Sequence, residues 1–355
     1  MSLANLGITH AIEAYRTDEG LSSFDLGRVI SEHKDRYVVQ GEDGDYDAEL
    51  IGNLRFTAES RRDLPCVGDW VAFSEYDEGK ALIHAIYPRY SVLERKAVGQ
   101  GGKIQIIASN VDYGIIIQSV DRDFNLNRLE RYLTICYTAG IEPIVVLSKS
   151  DLISPNELSK LHLDIEKRLP DVSVIDVSNQ EEGGYDEIRK QIQVGKTYCL
   201  LGSSGVGKST LLNHLQGRDL METGEISSSV NKGKHTTTHR ELVVLETGGV
   251  MIDNPGMREL GITDGSHGLE MTFQTLAQFA ENCKYSDCKH INEKGCAVLE
   301  ALDSGELDED AYNNYLKLER EKNHFESTVQ ERRKKDKKFG KMYKSVKKHR
   351  RDTKF

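Results

Sequence analysis

No apolar run in this 355-residue chain reaches the roughly twenty residues that a membrane-crossing helix needs. A helical membrane protein is thereby excluded. A secretory leader is not expected either: the first thirty residues carry Glu13, Asp18 and Glu19 and no compact apolar core. Cysteine is sparse. Of the six present, Cys66, Cys136 and Cys199 are scattered through apolar or mixed stretches and read as buried thiols. Cys283, Cys288 and Cys296 fall within fourteen residues, which points to metal binding in a reducing compartment rather than to disulfides. The expected location is cytoplasmic.

Charge is abundant but uneven. The 47 Lys and Arg and 57 Asp and Glu leave a net −10, yet residues 331–355 hold thirteen basic side chains against three acids. A basic end on an acidic body fits a polyanionic partner touched at one place. It also fits a solvated, disordered tail.

The pattern along the chain changes twice. After a short stretch in which "LGITHAIEAY" can form a helix, Asp25 to Leu93 reads as short strands at about ten-residue spacing, the mark of a small β-barrel. "KAVGQGGKIQ" reads as a flexible connector. From Val111, apolar strands "DYGIIIQSV", "PIVVLSK", "VSVIDVS" and "TYCLLG" alternate with helical patterns, and "ELVVLE" and "GVMIDN" follow. That alternation predicts a parallel sheet covered by helices. Beyond about Gly261 the chain becomes helical and Cys-rich. The expected division is 1–100, a barrel; 103–262, an α/β nucleotide-binding domain; 263–330, a helical metal-binding domain; and 331–355, a basic tail.

"GSSGVGKST" at 202–210 follows an apolar strand and precedes a helix-competent run. It matches the phosphate-loop pattern. Gly202, Gly205 and Gly207 let backbone N–H groups, those of Ser203, Ser204 and Val206 among them, turn inward on phosphate oxygens. Lys208 supplies a cation to the β- and γ-phosphates, Ser209 a hydroxyl for Mg²⁺, and the helix beginning near Thr210 its positive end. "MIDNPG" ends a strand with Asp253, suited to the Mg²⁺ shell, and Gly256, whose N–H suits a γ-phosphate. Between them "KGKHTTTHR" offers Thr236, Thr237 and Thr238 as Mg²⁺ ligands, with Thr237 the chosen one, and His235 and His239 as candidates to position water. A Gln often orients that water in small GTPases; here Met257 follows "DNPG", which predicts slow unassisted hydrolysis.

"LSKSDL" at 147–152 resembles the guanine-reading [NT]-K-x-D segment, with Ser148 where Asn is usual. Asp151 would accept from the ring N–H and amino group of guanine, which adenine lacks. Lys149 would lie along the base, next to Ser150. "DVSNQ", with Ser178 and Asn179, is a loose match to a base-backing loop. A solvated turn capping the next helix is the competing reading. The order base, phosphate, switch is that of a circularly permuted GTPase.

"CKYSDCKHINEKGC" spaces Cys283, Cys288, His290 and Cys296 as C-x4-C-x-H-x5-C. Three thiolates and an imidazole close a tetrahedron and suit structural zinc. The metal would pin a segment with few apolar residues. Lys284, Tyr285 and Lys289 would meet phosphate and stack on bases.

With "GDWV", "PRYSVLERK", "NVDYGIIIQS", "NLNRLERYL", "GSSGVGKST", "GKHTTTHR", "DNPGMRE" and the cysteine pattern in this order, the chain resembles the circularly permuted, ribosome small-subunit-dependent GTPases of the RsgA (YjeQ) family. The resemblance implies an OB-like barrel, a permuted P-loop GTPase domain and a small helical zinc domain. It implies GTP and GDP as ligands, Mg²⁺ with GTP and one Zn²⁺. It further implies a late assembly factor for the small (30S) subunit and its 16S rRNA, hydrolysing GTP when stimulated by that subunit. A monomer with no DNA or membrane partner is expected. A nucleotide-gated RNA-binding placeholder with negligible turnover, and a P-loop ATPase or kinase, stay open at this point.

Overall fold

The computed structural model describes residues 2–33, 36–96, 104–121, 124–181, 183–217, 241–253 and 266–326. Helix α1 (His10–Asp18) leads into strands β1 (Asp25–His33), β2 (Arg36–Gln40) and β3 (Asp45–Leu50). Helix α2 (Gly52–Thr57) and strands β4 (Trp70–Asp77) and β5 (Lys80–Ile86) complete the unit. The strands run in the order β1-β2-β3-β5-β4, and β4 returns to pair with β1. The sheet therefore closes into a five-stranded barrel, the OB-like architecture expected. Its interior is filled by Val29, Val39, Ala48, Val71, Phe73, Ala81 and Ile83.

A register shift between Val29 and Ser31 bends β1, as an extra residue in one strand does. Beyond it, Ser31 pairs with Glu241 of the second sheet. Strand β1 thus belongs to the barrel and also pairs with the edge of the second sheet, and it is buried from Leu26 to Val29 and again at Ser31.

The stretch read as a flexible connector is partly ordered. Lys96 ends β6 (Val92–Lys96) and Ile104 and Gln105 begin β7 (Ile104–Ser109), an antiparallel pair; residues 97–103 lie outside the described residues. The second sheet follows: β8 (Tyr113–Ser119), α3 (Leu126–Ala139), β9 (Glu142–Ser148), α4 (Pro155–Arg168), β10 (Val174–Val177), α5 (Asp186–Gln191), β11 (Thr197–Leu201), α6 (Lys208–Gln216), β12 (Glu241–Val244) and β13 (Val250–Asp253). Its order is β10-β9-β8-β11-β13-β12. Strands β8 to β11 and β13 are parallel, as the apolar runs predict. Strand β12 departs from the expectation and is antiparallel to β13. Only a tight turn joins them, with Leu245 N–H on Gly249 O at 2.8 Å. A parallel crossover needs a dozen residues or more.

Helices α7 (Ser266–Thr272) and α10 (Glu309–Glu326) pack on α3, with α8 (Gln274–Ala280) against α7 and α9 (Ala297–Ser304) against α8. Leu269, Phe273, Leu276, Val298 and Leu316 share one core with Leu129 and Leu133 of α3. The segment expected to need metal for want of apolar residues therefore has an apolar seat of its own. A buried carboxylate adds to it: Glu130 of α3 receives Arg168 Nε of α4 and Asn314 Nδ2 of α10, each at 2.5 Å.

Barrel and second sheet meet around Arg28, which is 1% exposed. Its guanidinium donates to Gly68 O at 3.0 Å, Leu6 O at 2.5 Å, Asn110 O at 2.9 Å and Thr197 Oγ1 at 2.9 Å. It also lies 5.6 Å from the centre of the Trp70 ring. Burial pulls its pKa below the ordinary arginine value, opposed by Tyr90, Asp112 and Asp69, but arginine stays charged. Arg28→Met would fill the same space and leave four acceptors without their donor. We expect it to lower unfolding free energy by about 3 kcal/mol or more, read from urea midpoints; a shift under about 0.5 kcal/mol would contradict this role.

Candidate functional site

The parallel strands deliver their following loops to one edge. Ser119, Ser148, Val177, Leu201 and Asp253 end β8, β9, β10, β11 and β13. The chain passes from β8 to β9 to β10 on one side, then returns to place β11 on the other side of β8. The reversal makes a crevice outside the carboxyl ends of the strands, where open α/β sheets bind ligands.

The glycine loop leaves β11 at this crevice and enters α6 at Lys208. Gly202, Gly205 and Gly207 have φ of 150°, 81° and 98°, which side chains disfavour. At Gly202 a Cβ would stand 2.5 Å from the Ile117 carbonyl oxygen, so only glycine lets the loop pass that close to β8. Val206 is buried beneath the loop, while Ser203, Ser204, Ser209 and Thr210 are at least partly exposed. The Lys208 ammonium donates to Gly202 O at 2.8 Å and to Ser203 O. A glycine loop opening a helix, with a cation folded over it, is chemically an anion site.

The segment after β9 joins this loop directly. The Ser148 hydroxyl donates to Val206 O at 2.6 Å. Serine is shorter than the usual asparagine, yet it bridges the two loops because β9 ends beside Val206. Lys149 adopts the left-handed conformation at φ 60° and pairs with Asp121 Oδ2 at 3.0 Å. Ser150 Oγ donates to Val177 O at 3.2 Å, and Asp151 Oδ1 accepts from Ser178 Oγ at 2.6 Å. The loosely matching "DVSNQ" loop is thus in contact with Asp151. No motif points to Asp121; its one signal in the sequence is an acid just beyond an apolar strand on the loop edge. Ser119 Oγ holds its other oxygen at 2.8 Å.

Asp253 ends β13 on the same edge. Gly256, Met257, Thr236, Thr237, Thr238, His235, His239 and the tail 331–355 lie outside the described residues.

Cys283, Cys288, His290 and Cys296 bring one ligand atom each within 4.8 Å of one another. His290 Nδ1 stands 3.6 Å from Cys283 Sγ and 3.4 Å from Cys296 Sγ, and the two sulfurs are 3.8 Å apart. Burial lowers the His290 pKa, which favours the neutral ring that a metal requires. The group could hold a metal ion. Two residues that the spacing did not reveal shape it. Glu293 accepts the amides of Lys289, Ile291 and Asn292 at 3.2, 2.9 and 3.0 Å, and Tyr312 Oη donates to His290 O at 2.6 Å. Together they frame a histidine whose φ is 56°. Lys284 Nζ lies 5.5 Å from the centre of the half-exposed Tyr285 ring beside this loop.

The RsgA GTPase family model matches residues 86–263. A protein named small ribosomal subunit biogenesis GTPase RsgA 1, from Bacteroides thetaiotaomicron, is 42% identical over 324 residues, spanning 91% of this chain and 90% of that one. An RsgA 2 of the same description from Lactiplantibacillus plantarum is 43% identical over 326 residues, spanning 90% and 89%. Among solved structures, YjeQ from Thermotoga maritima is similar with a TM-score of 0.61 at 26% identity, covering 83% of this chain and 96% of that one. YloQ, described as a circularly permuted GTPase, shares the fold with a TM-score of 0.60 at 24% identity, covering 86% and 97%. The base-type segment on β9 precedes the glycine loop after β11, the two loops touch, and relatives above 40% identical align over nine-tenths of the sequence: the chain belongs to the RsgA GTPase family.

Proposed function

We propose that this protein hydrolyses GTP as a late biogenesis factor of the small (30S) ribosomal subunit, working as a cytoplasmic monomer on 16S rRNA and not on DNA or membranes. The observation that carries the reading is the hydrogen bond from Ser148 Oγ to Val206 O at 2.6 Å. It brings a guanine-type segment and a phosphate-type loop, 54 residues apart from Ser148 to Gly202, into one crevice despite their exchanged order. The barrel of 1–100, the nucleotide domain of 103–262, the metal-binding helices of 263–330 and the tail 331–355 form its working parts. Barrel and metal loop bind rRNA, with Lys284 and Tyr285 on the latter.

Within the crevice Asp151, oriented by Ser178, accepts from the guanine N–H groups, and Lys149 lies along the base between Ser148 and Ser150. Residues Gly202 to Thr210 take the phosphates, with Lys208 on the β- and γ-phosphates. Ser209, Thr237 and Asp253 serve the Mg²⁺ shell, where the ion would neutralise charge on the transferring phosphate. Gly256 donates to the γ-phosphate and His235 positions water.

For the cysteine cluster we propose structural zinc. Bonds of about 2.3 Å to sulfur and about 2.05 Å to nitrogen give tetrahedral edges of about 3.8 Å and about 3.6 Å. The separations of 3.8 Å between Cys283 and Cys296 and 3.6 Å between Cys283 and His290 support that ion. All four positions belong to protein, so the centre orders its loop and leaves none for water.

The deciding experiment is GTP hydrolysis with and without purified small subunits. Stimulation of at least about tenfold is expected; two- or threefold or less would favour a nucleotide-gated placeholder. Lys208→Ala should abolish hydrolysis while the metal-binding helices keep their circular-dichroism signal, and full activity would remove the phosphate-loop role. Metal chelation should disorder the loop between Cys283 and Cys296, while the helices around it keep their apolar seat, and should weaken subunit binding. Unchanged binding after verified metal loss would separate the cluster from rRNA recognition.

A further inference from the structure

The nucleotide site proposed above depends on a carboxylate, Asp151, whose orientation is set from a neighbouring turn. Buried Ser178 donates to it and accepts the Gln180 amide at 3.0 Å. The turn closes with Ser178 N–H on Gly184 O at 3.4 Å and Gly184 N–H on Glu181 O at 3.0 Å. It closes so tightly that a Cβ on Gly184 would lie 2.3 Å from the Ser178 carbonyl oxygen. The turn has little apolar anchorage of its own, and Asn179 and Gln180 are exposed.

Its anchor is Tyr185, the residue before α5. The Tyr185 ring stacks on His214, with centres 3.9 Å apart and planes inclined by 15°. His214 lies on α6, the helix that opens at Lys208. The Tyr185 hydroxyl donates back into the turn, to Asn179 Oδ1. Burial, and then the nearby Asp151 carboxylate, push this hydroxyl up to about 12, so it remains a donor at any working pH. Arg189 of α5 adds a bond to His214 O at 3.0 Å. The turn is therefore braced against the helix of the phosphate loop.

We propose that Tyr185 is a positioning residue for the guanine base: through Asn179 it holds the turn that carries Ser178, and Ser178 in turn aims Asp151. This rests on the nucleotide reading above and adds to it a determinant of base selectivity that acts through other residues.

The test uses the full-length protein and calorimetric titration with GDP, with IDP, which lacks the 2-amino group, and with ADP. The wild type should prefer GDP over both. A wild type that binds ADP as tightly as GDP would overturn the nucleotide reading itself, apart from any variant. Tyr185→Phe keeps the stack and removes only the hydroxyl. Its Kd for GDP should rise about three- to tenfold, the effect of one hydrogen bond. IDP should lose less, so the GDP/IDP ratio narrows. With GTP, KM should rise while kcat holds. Asn179→Ala removes the same bond from an exposed position where folding is not at stake, and should match. The double variant should be no worse than either single one, because both delete one interaction. A wild-type GDP preference left within about twofold in both variants, equal losses for GDP and IDP, or additive losses in the double variant would each overturn the role of Tyr185.

Discussion

Burying Arg28 is the constraint around which the two large units are arranged. A guanidinium removed from water must have its N–H groups taken up by the protein, or the cost is several kcal/mol. Here the acceptors come from four places: the amino-terminal turn at Leu6, the barrel turn at Gly68, the β7–β8 corner at Asn110 and the start of β11 at Thr197. Each segment is fixed by the same cation. The neighbouring Asp69, fully buried, repeats the logic with opposite sign: it takes two bonds from Arg89 at 2.7 and 2.6 Å and one from Ser109 at 2.5 Å. Hydrophobic contacts supply the bulk of the core, but these directional bonds set the relative placement of barrel and sheet.

That placement is independent of the order in which the motifs are written. A parallel sheet sends all its strand ends to one edge, so loops gather there whatever their position along the chain. What the permutation changes is what the loops lead to. Among the described residues β13, which ends in Asp253, is followed by the carboxyl-terminal helices rather than by further sheet. Of those helices α7 and α10 sit on α3, and Glu130 connects α10 to α4, the helix that follows the Ser148–Asp151 loop. The loop after β9, the glycine loop and the helices around the cysteine cluster are therefore parts of one packed body.

Features that depend on neighbours in sequence were legible; those that depend on distant partners were not. The glycine loop is recognisable because the backbone itself needs glycine there, and the metal cluster because its ligands are local. Strand β8 announces itself as an unbroken apolar run. Arg28, by contrast, sits in "LGRVISEH" and reads as an ordinary strand residue facing solvent, since its acceptors lie up to 169 positions away. The antiparallel course of β12 follows from a tight turn at Gly248 and Gly249, a signal overshadowed by the apolar strands on either side of it. The apolar seat of α7 to α9 is divided among short helices, so no single stretch shows a long stripe. Ser148 was legible as a departure but not in its consequence, because whether a short hydroxyl reaches Val206 depends on how two strands end side by side.

The separation between Arg28 and its last acceptor also bears on how the chain is made. During synthesis the barrel strands and then β8, β9 and β10 emerge with their neighbours already available for pairing. Strand β11 appears later and must add to the far side of β8, bringing both Thr197 and the glycine loop with it. The emerging chain thus holds a cation awaiting its final acceptor until β11 has left the exit tunnel, so closure of the joint and arrival of the glycine loop at the strand edge come together late in synthesis.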